Sequence, residues 1–261
     1  LNTKSMMMTK HHYLFWLSAL MRVAVLNNLK VTRIENKYLV DKQNFLLLEE
    51  VLRSTMIVDR KKYIVSSLYF DSIGDDDLKE KLDGVILREK YRIRIYDYQD
   101  LTIKFEVKRK SDNTIPKESI VITRHEADLL MSGEYGFLTE RENFGYLTDY
   151  MANNVYRPKS IVTYDRTAFY LPFNNIRITL DVDLRTSGFA LDLFSISETE
   201  NFLASKSDYF ILEVKFSDYL PDFLAGIIEP YVGSRSSLSK YAVSRNDNNT
   251  EILDDDPVFV Y

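Results

Sequence analysis

The chain has 261 residues, of which 45% are hydrophobic and 28% charged, with a formal net charge of −5. That is ordinary for a globular chain and lacks the basic surface that nonspecific nucleic-acid binding needs. There is no cysteine, and the three histidines are His11, His12 and His125. Disulfides and thiolate sites are therefore excluded, and a metal would be held mainly by carboxylate oxygens, which suits Mg²⁺ or Mn²⁺.

Residues 13–21 form an apolar run that Arg22 interrupts. It is shorter than the roughly 20 residues a membrane span needs. It reads as a packing helix or an extension ahead of a start near Met21, with a signal-peptide core behind Lys10 as the alternative. Residues 31–40 alternate Arg33, Glu35 and Lys37 with Ile34 and Tyr38, the period of a strand with one charged face. Asp41 is placed to cap a helix over 42–53, whose apolar stripe is Phe45, Leu48, Val51 and Leu52.

A strand is expected over 64–71 and a short acidic helix over 75–82, ending near Gly84. Residues 88–98 and 101–110 then form a hairpin. In its first strand Lys90, Arg92, Arg94 and Tyr96 share a face opposite Tyr91, Ile93 and Ile95. In its second, Lys104, Glu106, Lys108 and Lys110 oppose Ile103, Phe105 and Val107. A brief strand over 117–122 precedes helices over 123–131 and 143–154, the first carrying His125 as a surface residue. Strands follow over 159–170, 176–185 and 209–215, then a helix over 221–231 and a polar segment over 234–240. The last residues are acidic. The pattern predicts about eight strands, mostly antiparallel, with three or four helices. It divides the chain into an extension (1–30), one domain (31–244) and an acidic tail (245–261).

Across five strands one face is apolar and the other carries both signs of charge. Exposed strand faces usually mix in Thr, Ser and Gln, and these largely do not. The arrangement expected is a closed β-barrel turned inside out, with helices over its apolar exterior and charges in its lumen. The lumen candidates are Arg33, Glu35, Lys37, Arg92, Arg94, Glu106, Lys108, Lys110, Arg166, Arg177, Asp181, Glu213 and Lys215. Nine basic and four acidic residues leave the lumen at +5 and the rest of the chain at −10. A cationic interior in an acidic protein concentrates anions. Cations two residues apart, about 6.6–6.8 Å along a strand, suit a repeating anion such as a phosphate chain.

The segments RIENKY (33–38), SLYFD (67–71), REKYRIRIY (88–96), FEVKRK (105–110), YDRTAF (164–169), RITLD (177–181), LEVKF (212–216) and SLSKY (237–241) together resemble the VTC domain. This is the polyphosphate polymerase domain of the triphosphate tunnel metalloenzyme, or CYTH-like, superfamily. The resemblance implies an α+β fold built on a closed antiparallel eight-stranded barrel. It places Lys37, Arg92, Arg94, Lys108, Arg166, Arg177, Lys215 and Lys240 at phosphate-binding positions, with Lys117 as a further one. Lys37, Arg92, Arg94 and Arg166 act in catalysis on this reading. Glu213 and Glu35 take the metal positions on this reading, Glu35 lying on the Glu-x-Lys part of the superfamily's N-terminal signature, the ion being Mn²⁺ or Mg²⁺. Many hydrolysing members carry a further Glu where this chain has Arg33, which favours a phosphate-chain handler over a two-metal hydrolase. The implied partners are ATP, triphosphate or polyphosphate, not nucleic acid, together with a membrane-protein partner for a cytoplasmic chain. The oligomeric state is left open. A polymerase is the first reading, with a triphosphatase and a non-catalytic phosphate sensor as the others.

Overall fold

A computed structural model describes residues 34–110, 117–187, 190–195, 202–203 and 209–245. Arg33, the apolar run over 13–21 and the acidic tail beyond Arg245 lie outside them. The strands are β1 (Ile34–Asp41), β2 (Ile57–Asp71), β3 (Arg88–Tyr96), β4 (Gln99–Lys110), β5 (Lys117–Ile122), β6 (Arg157–Leu171), β7 (Ile176–Thr186), β8 (Phe202–Leu203) and β9 (Tyr209–Phe216). The α-helices are α1 (Lys42–Thr55), α2 (Asp76–Leu82), α3 (Arg124–Ser132), α4 (Tyr146–Asn153), α5 (Asp222–Ile228) and α6 (Lys240–Arg245).

Local chemistry explains several boundaries. The Asp41 carboxylate accepts from the Asn44 backbone N–H at 2.9 Å and starts α1. Thr123 and Glu126 form a reciprocal capping box at α3. Asp97 and Tyr98, both at positive φ, turn β3 into β4, the geometry a two-residue hairpin loop requires. Strand β2 begins at Ile57, seven residues before the expected start. Register shifts between Val58 and Tyr63 break the alternation there, so the pattern alone does not announce it.

All pairings are antiparallel, in the order β1-β9-β7-β6-β2-β3-β4-β5, with β8 beside β7. Among the described residues no ladder joins β1 to β5, so the expected closed eight-stranded barrel is corrected to an open nine-stranded sheet. The free edge of β1 is taken instead by the segment before α6: Tyr38 bridges Arg235, and the Ser236 N–H donates to the Lys37 carbonyl at 2.8 Å. Side chains span the seam, since Lys108 on β4 reaches both oxygens of Glu35 on β1 at 2.9 and 2.8 Å. The sheet therefore curls far enough to enclose an interior without completing its ladder.

The apolar faces point outward under helices. Tyr91, Ile93, Ile95, Ile103, Phe105 and Val107 pack with α3 and α4 residues such as Leu130, Leu147 and Met151. Ile178, Leu180, Leu212 and Val214 pack with Leu48 and Leu52 of α1 and Leu224 and Ile228 of α5. Fully burying one such side chain stabilises by about 1.5–3 kcal/mol, and this drives the charged faces inward. One inner wall is mostly uncharged: β2 and β6 contribute Tyr63, Val65, Tyr69, Val162, Tyr164 and Ala168 against Tyr241 of α6, with Arg166 as the cation among them.

Candidate active site: a cationic interior

Register builds the site. Arg92 lies opposite Tyr69 on β2 and Glu106 on β4, and Arg94 lies opposite Ser67 and Lys104. Lys37 faces Glu213, Glu35 faces Lys215, and Thr179 also faces Glu213. Helix α6 adds Lys240, held in place because the Tyr241 hydroxyl donates to Asp71 at 2.8 Å and its ring stacks on Tyr69 with centroids 5.2 Å apart.

These elements surround a cavity of about 130 Å³. Eleven of its seventeen lining residues are Lys or Arg, and Glu213 is the single carboxylate among them. Of the residues expected from sequence, Lys37, Arg92, Arg94, Lys108, Arg166, Glu213, Lys215 and Lys240 all line it, as does Lys110. Three do not. Lys117 is drawn to the Glu106 carboxylate. Arg177 pairs with Asp59 at 2.7 Å on the bulged part of β2. Glu35 sits behind the wall, its oxygens taken by Lys108.

The inner cations rest on buried carboxylates. Arg166 makes two bonds to Asp181, at 2.6 and 2.7 Å. Lys240 reaches Asp181 and Glu213, each at 2.8 Å, and Lys215 reaches Glu213 at 2.8 Å. Arg92 donates to Glu106 from Nε at 2.7 Å and to the Tyr69 hydroxyl at 3.0 Å. Arg94 is held more loosely, by Ser67 at 3.2 Å and the Tyr164 hydroxyl at 3.3 Å. The Tyr164 ring lies beneath both Arg166 and Lys240, at 5.1 and 4.9 Å.

The charge states follow. Burial alone would raise the carboxyl of Glu213, but Lys215, Lys240 and Arg166 outweigh it and hold the group well below the usual range. Burial is likewise outweighed at Glu35 by Lys215, Lys108 and Lys37, and at Glu106 by Arg94, Arg92 and Lys117. One carboxylate shared among three cations is firmly ionised, while each cation receives only part of its field. Burial accordingly pushes Lys108 and Lys117 down to about 8 despite Glu35 and Glu106.

Among the described residues no group of three or more His, Asp or Glu is arranged to hold a metal. The donor set still fits one kind of ion. Mg²⁺-type ions commonly use one or two carboxylates and complete their shell with water and substrate phosphates, and Glu213 offers one carboxylate at the cavity wall.

Tyr69, Lys81, Arg88, Lys90, Tyr164, Ser237, Leu238 and Ser239 also line the cavity and are not among the residues expected from sequence. Arg88 and Lys90 share the face of Arg92 and Arg94, and strict period two includes them. Lys81 comes from α2 and the serines from an irregular segment, where no period exists to follow.

An antiparallel sheet curled around converging Lys and Arg defines a class of protein with a cationic interior, open to an anion from several sides. The chain matches the VTC domain over residues 32–246 and belongs to that family. No curated protein matches it. Among solved structures it is similar to HpAC1 from Hippeastrum, an adenylyl cyclase candidate described as having a dominant triphosphatase activity. Identity is 16%, coverage is 82% of this chain and 95% of that one, and the TM-score is 0.52. An adenylate cyclase candidate from Bacillus halodurans gives 16% identity, coverage of 80% and 95%, and a TM-score of 0.48. The Mimivirus capping enzyme triphosphatase gives 12% identity, coverage of 85% and 98%, and a TM-score of 0.38. At 16% identity the likeness to HpAC1 is one of fold alone. Among the described residues no helix is long and apolar enough to cross a membrane.

Proposed function

We propose that this chain is a phosphotransferase that moves the terminal phosphoryl group of ATP onto a polyphosphate chain. The observation that carries the reading is the cavity lining, eleven cations to one carboxylate, in a chain with net charge −5. In the transfer, a terminal oxygen of the chain attacks the γ-phosphorus. The bond from that phosphorus to the bridging oxygen breaks, and ADP leaves with the electron pair.

Phosphoryl transfer needs alignment and charge neutralisation more than covalent chemistry. Lys37, Arg92, Arg94 and Arg166 supply these around the transferred group, with Lys108, Lys215 and Lys240 as further phosphate contacts. Arg94 presents the freest fork, since its hydrogen bonds go to two hydroxyls. Lys117 and Arg177 act through their carboxylate partners and shape the wall. Glu213 would hold Mn²⁺ or Mg²⁺, with Glu35 fixing the ammonium groups beside it. The ion, when bound, neutralises phosphate oxygens. A membrane-protein partner and a cytoplasmic location remain part of this reading.

A second reading, a metal-dependent triphosphatase, is favoured by the activity described for HpAC1. The two differ only in whether water or a phosphate chain attacks. Incubation with ATP and Mn²⁺, followed by a gel for long polyphosphate and an assay for free phosphate, separates them. Long chains with ADP support the polymerase. Free phosphate alone assigns hydrolysis, and tight binding with neither product assigns a sensor.

A further inference from the structure

Two buried carboxyl groups take no part in the proposed chemistry. Asp71 ends β2 and is 0% exposed; Asp77, in the first turn of α2, is 5% exposed. Asp71 is fully served by donors. Its Oδ1 accepts from the backbone N–H groups of Ser72 at 2.8 Å and Asp77 at 2.9 Å. Its Oδ2 accepts from the Leu78 N–H at 3.1 Å and the Tyr241 hydroxyl at 2.8 Å. That donor set suits an ionised carboxylate. Asp77 is served poorly. Its Oδ1 accepts from the Tyr156 hydroxyl at 2.9 Å, and its Oδ2 is buried without a hydrogen-bond partner. A charge on Asp77 would lie beside the Asp71 carboxylate. Burial, and then that charge, push the Asp77 carboxyl up to about 8. The other titratable groups facing it are Glu80 on α2, Lys90 and Tyr91 on β3, and Tyr156 just before β6. Lys90 is the cation among them, and burial pushes it well below its ordinary value.

The pair sits in the joint that docks α6. One Asp71 oxygen serves both α2, through Leu78, and α6, through Tyr241. At the other end of α6, Arg245 donates at 3.0 Å to Asp75, the residue before α2. Asp75 also pairs with Lys159 of β6 at 2.9 Å, and Ser160 of β6 donates to Ser244 of α6 at 2.9 Å. Helix α6 has six residues, too few to hold itself without tertiary contacts, so its place depends on this joint. Its first residue is Lys240, whose ammonium reaches Asp181 and Glu213 at the cavity. A second negative charge on Asp77 repels Asp71. The two separate only by moving the first turn of α2 or by loosening the donors on Asp71, Tyr241 among them.

We infer that Asp71 and Asp77 are positioning residues for Lys240: with Asp77 protonated the joint holds α6 against the wall, and with Asp77 ionised it releases Tyr241 and Lys240 leaves its carboxylates. The cavity thus loses its grip on an anion in alkaline solution through a group that never touches the anion. Only the anion-binding half of this inference rests on the reading of the cavity as a phosphate site.

The test uses the full chain as wild type, Asp77→Asn and Tyr241→Phe at pH 6.5 and 9, either side of the Asp77 value. Backbone hydrogen exchange over α6, corrected for base catalysis, reads the joint; calorimetry with tripolyphosphate reads the site. Lys108 and Lys117 titrate in all three proteins, so variants are compared with each other at each pH. Relative to Asp77→Asn, wild type should lose about ten-fold of its α6 protection at pH 9 and about five-fold in tripolyphosphate affinity. At pH 6.5 the two should coincide. Tyr241→Phe should already be loose at pH 6.5. The folded Asp77 keeps its proton to about 8, whereas an unfolded Asp loses it near 3.9, so this group makes stability fall as pH rises between them. Asp77→Asn should therefore melt no lower than wild type at pH 9. Equal pH responses in wild type and Asp77→Asn, a lower melting temperature for Asp77→Asn at pH 9, or a Tyr241→Phe protein as protected as wild type at pH 6.5 overturns the inference. Wild type that binds no tripolyphosphate at either pH overturns the phosphate reading instead, and the exchange data still decide the joint.

Discussion

Glu106 offers the most direct test of how the interior is held together. Its side chain is 1% exposed. Arg92 approaches Oε2 through Nη2 at 2.6 Å and Arg94 approaches it at 3.6 Å, while Lys117 takes the other oxygen. Glu106→Gln keeps the shape and removes the charge, leaving Arg92, Arg94 and the partly exposed Lys117 around a neutral amide. Removing one partner of a buried ion pair costs about 3–5 kcal/mol. At roughly 2–4 °C per kcal/mol for a domain of this size, the melting temperature should fall by about 6–20 °C at neutral pH.

Tripolyphosphate should recover more of that loss in the variant than it adds to wild type, because an anion supplies the missing charge only in the folded state. The pH dependence has a definite sign. The folded carboxyl titrates well below the ordinary value, so its contribution is complete above about 4.3 and is lost as pH falls through the folded value. The gap between wild type and variant should therefore narrow in acid. A variant melting within about 2 °C of wild type at neutral pH would refute the ion-cluster account, since the expected loss is several-fold larger.

Arg92→Lys and Arg94→Lys keep the charge but lose the fork, and each should lower kcat/KM more than ten-fold, about 1.4 kcal/mol of transition-state stabilisation. Ile93, between them and fully buried under the helices, should as Val cost about 0.5–1.5 kcal/mol of stability with near-normal turnover; the opposite ranking in steady-state kinetics would put the apolar face inside. Glu213→Gln should abolish turnover while metal-free tripolyphosphate still binds, and undiminished activity across a Mn²⁺ titration would refute its metal role. Lys108 and Lys117 are pushed down to about 8, whereas unfolded lysines titrate near 10.4, so between about pH 8 and 10 the unfolded chain holds more protons and these groups make stability rise with pH. Urea melts should show a smaller rise for Lys108→Met than for wild type, and identical slopes would contradict the assignment.

Much of this architecture is legible in residue order because strand period maps directly onto space. Lys-x-Arg-x-Arg beside Tyr-x-Ile-x-Ile fixes the two faces of β3, and Asp41 and Thr123 mark helix starts by their own side-chain chemistry. What resists reading depends on partners distant in the chain. Arg177 leaves the cavity because bulges in β2 bring Asp59 to it, and nothing near either residue signals the pair. Lys117 is withdrawn because Glu106 lies beneath Arg92 and Arg94. Helix α6 is too short to announce itself and depends on Tyr241 reaching Asp71. The open seam was illegible for the same reason: the segment covering the edge of β1 is irregular and carries no alternation.

The ladder between β1 and β9 joins the first described strand to the last one. Closing so long a loop is slow, although lengthening it adds only logarithmically to the entropic cost. During synthesis the pairing cannot form until Phe216 has left the ribosome. Glu35 and Lys37 must therefore wait without Lys215 and Glu213, and Lys240 arrives later still. Arg92, Arg94 and Glu106, built on one hairpin, assemble early from local contacts. The cationic interior is thus completed at the end of folding, around a hairpin that already carries half of its charge.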